Sequence, residues 1–138
     1  MDKNKIQALQ WLKAASDDLD SISYIIKVEH LTNIVAFHSQ QTIEKSFKAL
    51  IEYNKISFMK THNLEKLYKS IEDIIEIDCD HLALINELYI DSRYPGDMGL
   101  MPHGKPTLED AKEFYEFAES TFDKVCKILD IDKREVMR

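Results

Sequence analysis

Apolar residues recur along this chain at steps of three and four, the spacing that gathers them on one side of a helix turning about 100° per residue. From Asn4 to about Val28 the stripe is Ile6, Leu9, Leu12, Ala15, Leu19, Ile22 and Ile26, with Trp11 beside it and Asp17, Asp18 and Asp20 as an acidic patch on an outward face. A break over Glu29 to Thr32, with Thr32 or Asn33 as cap, leads into a second helix through Phe37 to Tyr53. After the short connection from Asn54 to His62, the step resumes through Leu64, Leu67, Tyr68, Ile71, Ile74 and Ile75 and predicts a helix over Asn63 to Ile75. Asp78 or Asp80 is placed to cap a fourth helix carrying Leu82, Ile85, Leu88 and Tyr89. That helix ends at Arg93-Tyr94-Pro95, because proline disfavours helix in the residue ahead of it.

All three glycines and all three prolines fall in PGDMGLMPHGKP, Pro95 to Pro106, so the helix breakers are confined to one loop, residues 94–106. A loop of that length inside a compact domain is usually functional or disordered rather than a plain connector. Thr107 with Asp110 three residues on resembles a capping box, and Ala111, Phe114, Ala118, Phe122, Val125 and Leu129 carry the period through the last helix. Residues 131–138 read as a frayed tail. Nothing reads as a strand. Five such stripes are buried by an all-α fold, an up-and-down four-helix bundle with an additional shorter helix, in a single domain over residues 1–138.

Composition narrows the function classes. A net charge of -7 disfavours unspecific attraction to phosphate backbones, where each neutralised phosphate needs a Lys or Arg, while leaving room for a small basic site. Cys79 and Cys126 form no C-x-x-C pair and read as small buried hydrophobes of a reducing cytoplasm. The N-terminus is charged throughout and no apolar run approaches a membrane span, so a soluble cytoplasmic protein is expected. Phosphate-loop, His-Glu-x-x-His and Glu-x-x-His motifs do not occur, and no metal or cofactor is expected.

The second helix carries more polar information than packing needs. Ala36, Gln40, Ile43, Phe47, Leu50 and Ile51 share the core side, with Glu44 at its edge, whereas His38, Gln41, Lys45, Lys48 and Glu52 lie roughly opposite. A buried amide and a half-buried carboxylate are costly unless hydrogen-bonded or paired. Glu44 is therefore expected either to bend into solvent at the rim or to meet the guanidinium of Arg93 at the end of the fourth helix, and Gln40 to bond a neighbouring backbone carbonyl. Arg93, Lys45, His38 and Gln41 are the candidate nucleotide-binding residues, the cations for phosphate and the other two for orientation, with Glu44 and Gln40 as structural polar groups. His103 and Lys105 on the loop can add positive charge. The blander alternative is that Gln40, Glu44 and Arg93 only hold the bundle in register. Trp11, Tyr24, Tyr89 and Tyr115 are the large residues to inspect for an interface.

The runs WLKAASDDL (Trp11 to Leu19), FHSQQTIEKSFKA (Phe37 to Ala49), THNL (Thr61 to Leu64) and LYIDSRYP (Leu88 to Pro95) resemble, in order and spacing, a HEPN domain. The resemblance covers about Trp11 to Leu129 and implies a helical bundle, a homodimer, and a nucleotide- or substrate-binding role beside a separately encoded minimal nucleotidyltransferase, often as a toxin–antitoxin pair. Some relatives are instead metal-independent ribonucleases with an Arg followed by four to six residues and a His. Here nine residues separate Arg93 from His103, among them Pro95, Gly96, Gly99 and Pro102, so no single helix presents both. Catalysis by Arg93 and His103 on RNA is the alternative, and the leaning is toward a non-enzyme.

Overall fold

The structure, a computed structural model, describes residues 2–57, 59–91 and 105–138, with the side chains of residues 89–91 left aside. It is all-helical: α1 (Lys3–Ile25), α2 (Thr32–Tyr53), the short α3 (Leu64–Lys69), α4 (Cys79–Asp91) and α5 (Leu108–Ile128), with 3₁₀ turns at Glu29–Leu31 and Lys133–Glu135. Four long helices and one short one make the bundle expected from the five stripes. No strand occurs among the described residues.

Hydrogen bonds between helices give their directions. Asn4 Nδ2 donates to the Glu52 carbonyl at 2.9 Å and Asp18 meets His38 and Lys45, so α1 and α2 run antiparallel. Thr32 Oγ1 donates to the Pro106 carbonyl at 2.6 Å, which sets the starts of α2 and α5 side by side. Thr32 is therefore a strap to the last helix and not the expected cap; the N-cap position is Leu31, without a side-chain cap bond. α2 is the central helix, with Val35, Ala36, Ile43, Phe47, Ala49, Leu50 and Ile51 buried against the other elements. Leu12, Ala15, Leu64, Leu67, Leu82, Ile85, Phe114 and Phe122 complete the core. Truncating one such Leu or Phe to Ala costs about 2–5 kcal/mol, the transfer loss plus the cavity left behind.

The helix ends are built from local chemistry. Asp78 Oδ1 accepts from the backbone N–H groups of Asp80 and His81 and caps α4. Chiefly the His81 N–H holds the Asp78 carboxyl below its ordinary value. Thr107 and Asp110 form the expected reciprocal box at the start of α5. Both α2 and α5 close on a residue in the left-handed region that is not glycine, Lys55 (φ 57°) and Asp130 (φ 53°). In each, the following N–H reaches back to the last turn, Ile56 to the Ile51 carbonyl and Ile131 to the Cys126 carbonyl.

Three further expectations need correction. The helix read over Asn63 to Ile75 stops at Lys69, because Tyr68 Oη bonds both the Ile75 carbonyl and the Ile77 N–H and so holds the chain in turns. The tail is not loose at its apolar positions: Ile131 and Val136 are buried in the main core. Cys126 is buried, but Cys79 is exposed at the start of α4. Among the described residues, no helix is long and apolar enough to cross a membrane.

Candidate functional site

Glu44 does not bend into solvent. It is 3% exposed, and its carboxylate takes donors from three directions. Lys48 Nζ, one turn on along α2, donates to Oε2 at 2.9 Å, and Gln40 Nε2, one turn back, donates to Oε1 at 3.1 Å. His62 Nδ1 lies 3.0 Å from Oε1 and 3.2 Å from Oε2. The Gln40 amide also donates to the His62 carbonyl at 3.0 Å, so the backbone of the segment before α3 is fastened to α2 as well. Lys48 is 7% exposed, and its ammonium lies 5.2 Å from the Trp11 ring centre. A cation buried this deeply is tolerated because it is paired, hydrogen-bonded and faces an aromatic ring.

The strand of chain that delivers His62 is itself anchored. Asn63 Oδ1 caps α3 through the N–H groups of Glu65 and Lys66. Asn86 on α4 accepts from the Leu64 N–H at 2.8 Å and donates to Asn63 Oδ1 at 3.2 Å. His62 is thus presented by a short span pinned to both α2 and α4, which makes its position a property of the bundle.

A second carboxylate repeats the arrangement. Asp18 of α1, placed on an outward face by the sequence pattern, is 8% exposed in the α1–α2 seam. Its Oδ1 lies 2.8 Å from His38 Nδ1 and its Oδ2 2.6 Å from Lys45 Nζ. The His38 and Lys45 side chains remain 25% and 23% exposed, so both cations border solvent while their carboxylate does not. Thr42 Oγ1 donates to the His38 carbonyl at 3.0 Å and lies in the same seam. Gln41 belongs to the Glu44 cluster through its Nε2, which donates to Gln40 Oε1 at 2.7 Å. The two clusters lie along α2 as one polar strip, Asp18 with His38 and Lys45, and Gln41 with Gln40, Glu44, Lys48 and His62.

Of the residues singled out from sequence, the structure brings together His38, Lys45, Gln41, Gln40 and Glu44. Arg93 and His103 lie outside the described residues, as does the loop apart from Lys105 and Pro106; Lys105 Nζ donates to the His30 carbonyl. Gln40 does bond a backbone carbonyl, as expected. Among the described residues the donors to Glu44 are Lys48, His62 and Gln40, and none of the three is assigned to it by the sequence reading. Lys48 was set on the outer face although it stands four residues after Glu44, a spacing at which opposite charges meet. His62 gave no such signal, since it meets α2 only once α3 has docked.

Chemically, the strip holds two acceptor-only carboxylates, each bound by an ammonium and an imidazole. Beside an ammonium a carboxylate acts as acceptor, so the hydrogen bond from each His places its proton on Nδ1 and turns Nε2 away from the carboxylate. No group of three or more His, Cys, Asp or Glu suited to a metal ion occurs among the described residues.

Comparison with known proteins adds two findings. A family model described as the HEPN domain matches residues 8–129. The Putative toxin MJ1304 of Methanocaldococcus jannaschii is 26% identical to this chain, with 86% of each chain covered. No solved structure matches.

Proposed function

The chain belongs to the HEPN domain family, and from that membership we propose that it is a cytoplasmic binding module for a phosphate-bearing nucleotide, a homodimer working with a separately encoded nucleotidyltransferase in a toxin–antitoxin pair. The observation that carries the reading is the polar strip on α2. Two buried carboxylates hold four basic side chains in place, and Lys45 and His38 border solvent. An ammonium carries three donors, of which Asp18 Oδ2 uses one, so Lys45 has donors to offer a phosphate oxygen. Holding the cation in position beforehand lowers the ordering cost of binding. Gln41 and His38 orient the ligand, and Arg93 contributes a planar fork suited to phosphate.

Calorimetric titration of the chain with ATP, and then with other nucleotides, tests the proposal. Saturable binding is expected, weakened at least tenfold in Arg93→Ala and in Lys45→Ala; absence of binding with every nucleotide sinks it. The relative's name says only that it is a toxin, which fits the first reading and equally a second, implied by the family resemblance: a metal-independent ribonuclease in which Arg93 and His103 act on RNA. RNA incubated with the protein and a chelator separates the two. A cut lost in both Arg93→Ala and His103→Ala favours the ribonuclease.

A further inference from the structure

A second polar hollow lies between α1, α5 and the closing 3₁₀ turn, a cavity of about 90 Å³. At 100° per residue, Ser16, Asp20 and Ser23 share one sector of α1, and Asp18 stands roughly opposite, in the seam with α2. Asp20 and Glu119 bring carboxylates to this cavity, Tyr115 a phenol, and Asp123 a carboxylate that is already paired with Lys133. Three carboxylates face one ammonium, so the hollow is negative by two. Tyr115 Oη donates to Glu119 Oε2 at 3.2 Å. Burial first, then Glu119 by charge and hydrogen bond, then Asp20 and Asp123, push the phenol up, so it stays a neutral donor.

Carboxylates on helix surfaces are ordinarily just solvated. Ser16 makes this hollow different. It is 6% exposed and lines the cavity, yet among the described residues its hydroxyl has no hydrogen-bond partner. Ser21 and Ser23 of the same helix, by contrast, donate to the Asp17 and Asp20 carbonyls at 3.0 and 2.6 Å. A buried hydroxyl left unpaired is costly, and this one can accept from a donor that enters the cavity. A cation with several N–H groups answers both features, the exposed excess of negative charge and the buried hydroxyl.

We propose that this α1–α5 hollow is a docking site for an arginine side chain carried by a basic segment of another protein, its guanidinium meeting the Asp20 and Glu119 carboxylates and Ser16 Oγ. A guanidinium suits the lining better than an ammonium does. Its five donors lie in one plane, match carboxylate oxygens two at a time, and its face stacks on aromatic rings such as that of Tyr115. The chain shows the pattern with a residue of its own, since Lys133 reaches Asp123 from the 3₁₀ turn. The net charge of -7 speeds the approach of a basic partner. The site and its test are independent of the strip on α2 and of nucleotide.

Titration of the isotopically labelled full chain at low salt with a capped Gly-Arg-Gly-Arg-Gly peptide, followed by amide chemical shifts, tests the proposal. The matching lysine peptide and spermidine are the comparisons. Expected are saturable shifts at Ser16, Asp20, Tyr115 and Glu119, with affinity on the order of threefold above that for the lysine peptide. The double variant Asp20→Asn, Glu119→Gln changes only exposed side chains. It should keep the wild-type melting temperature and lose about tenfold in affinity, the worth of two exposed ion pairs. Ser16→Ala keeps every carboxylate and should weaken the arginine peptide by about threefold, the worth of one hydrogen bond. Absence of shifts at these four amides, affinity unchanged in either variant, or equal binding of the lysine peptide or spermidine overturns the proposal. The last of these results marks a diffuse acidic surface instead.

Discussion

Replacing Glu44 with alanine removes the acceptor from three donors at once: Lys48 Nζ, Gln40 Nε2 and His62 Nδ1. Gln40 keeps a second acceptor in the His62 carbonyl, and the His62 ring can turn toward water. Lys48 is 7% exposed, with its ammonium beneath Trp11, so it loses the carboxylate that faces it while staying buried. Removing one member of a buried ion pair costs about 3–5 kcal/mol for this reason. Unfolding entropy near the midpoint is about 2.1 cal/mol/K per residue, so for 138 residues each kcal/mol moves the melting temperature by roughly 3–4 °C. Glu44→Ala should therefore melt about 10–17 °C below the wild type, followed by helical circular dichroism. Lys48→Met removes the buried positive charge, so the double variant should recover about 1–3 kcal/mol of the sum of the single losses. A single-variant loss under about 1 kcal/mol, or additive effects of the two changes, refutes the reasoning and makes the pair an ordinary surface contact.

Other consequences follow from the same coordinates. Asp18→Ala should cost less than Glu44→Ala, about 1–3 kcal/mol in urea unfolding, because both of its partners border solvent and can hydrate; a loss as large as that of Glu44→Ala contradicts this ranking. Burial first, and the Asp123 carboxylate second, push the Cys126 thiol up to about 11 against the opposing pull of Lys133. Cys126 therefore keeps its proton in the folded chain at pH values where the unfolded chain has lost it. Its contribution to stability is complete below the ordinary thiol range and is lost as pH rises toward about 11. A thiol reagent at pH 8 should accordingly modify one cysteine rapidly, Cys79, and the second only on unfolding; two fast thiols contradict the burial. Asp130→Gly should raise stability by about 1 kcal/mol in thermal melts, since glycine enters the left-handed region without steric cost; a lower melting temperature shows that the Asp130 side chain contributes something its φ does not reveal.

Much of the fold was legible because helical periodicity is local. Leu12, Ala15, Ile43, Phe47, Leu82, Ile85, Phe114 and Val125 are buried where their stripes placed them. The ends were less legible. Asn63 to Ile75 holds the helical step, but the Tyr68 hydroxyl overrides it by bonding backbone beyond Lys69, a contact between residues seven and nine apart that periodicity does not encode. Thr32 looked like a cap and was drawn to Pro106, 74 residues away.

For the site, the suspicion about Glu44 and Gln40 came from polar groups inside an apolar sector, which is a local signal and led to a real cluster. Asp18 and Lys48 were misjudged because a charged residue off the main stripe is by default solvated, and only the close α1–α2 approach buries both. Asn86 and His62 were invisible for the same reason: their partners lie 22 and 18 residues away on other elements.

Backbone amide chemical-shift mapping of the isotopically labelled chain, titrated with ATP at low salt, tests the central claim most directly. The account predicts saturable shifts concentrated on the polar strip of α2, at His38, Gln41, Lys45 and Lys48, and at His62 and its neighbours. Shifts confined to another face, such as the surface between α4 and α5, or no shifts at saturating ATP, contradict it.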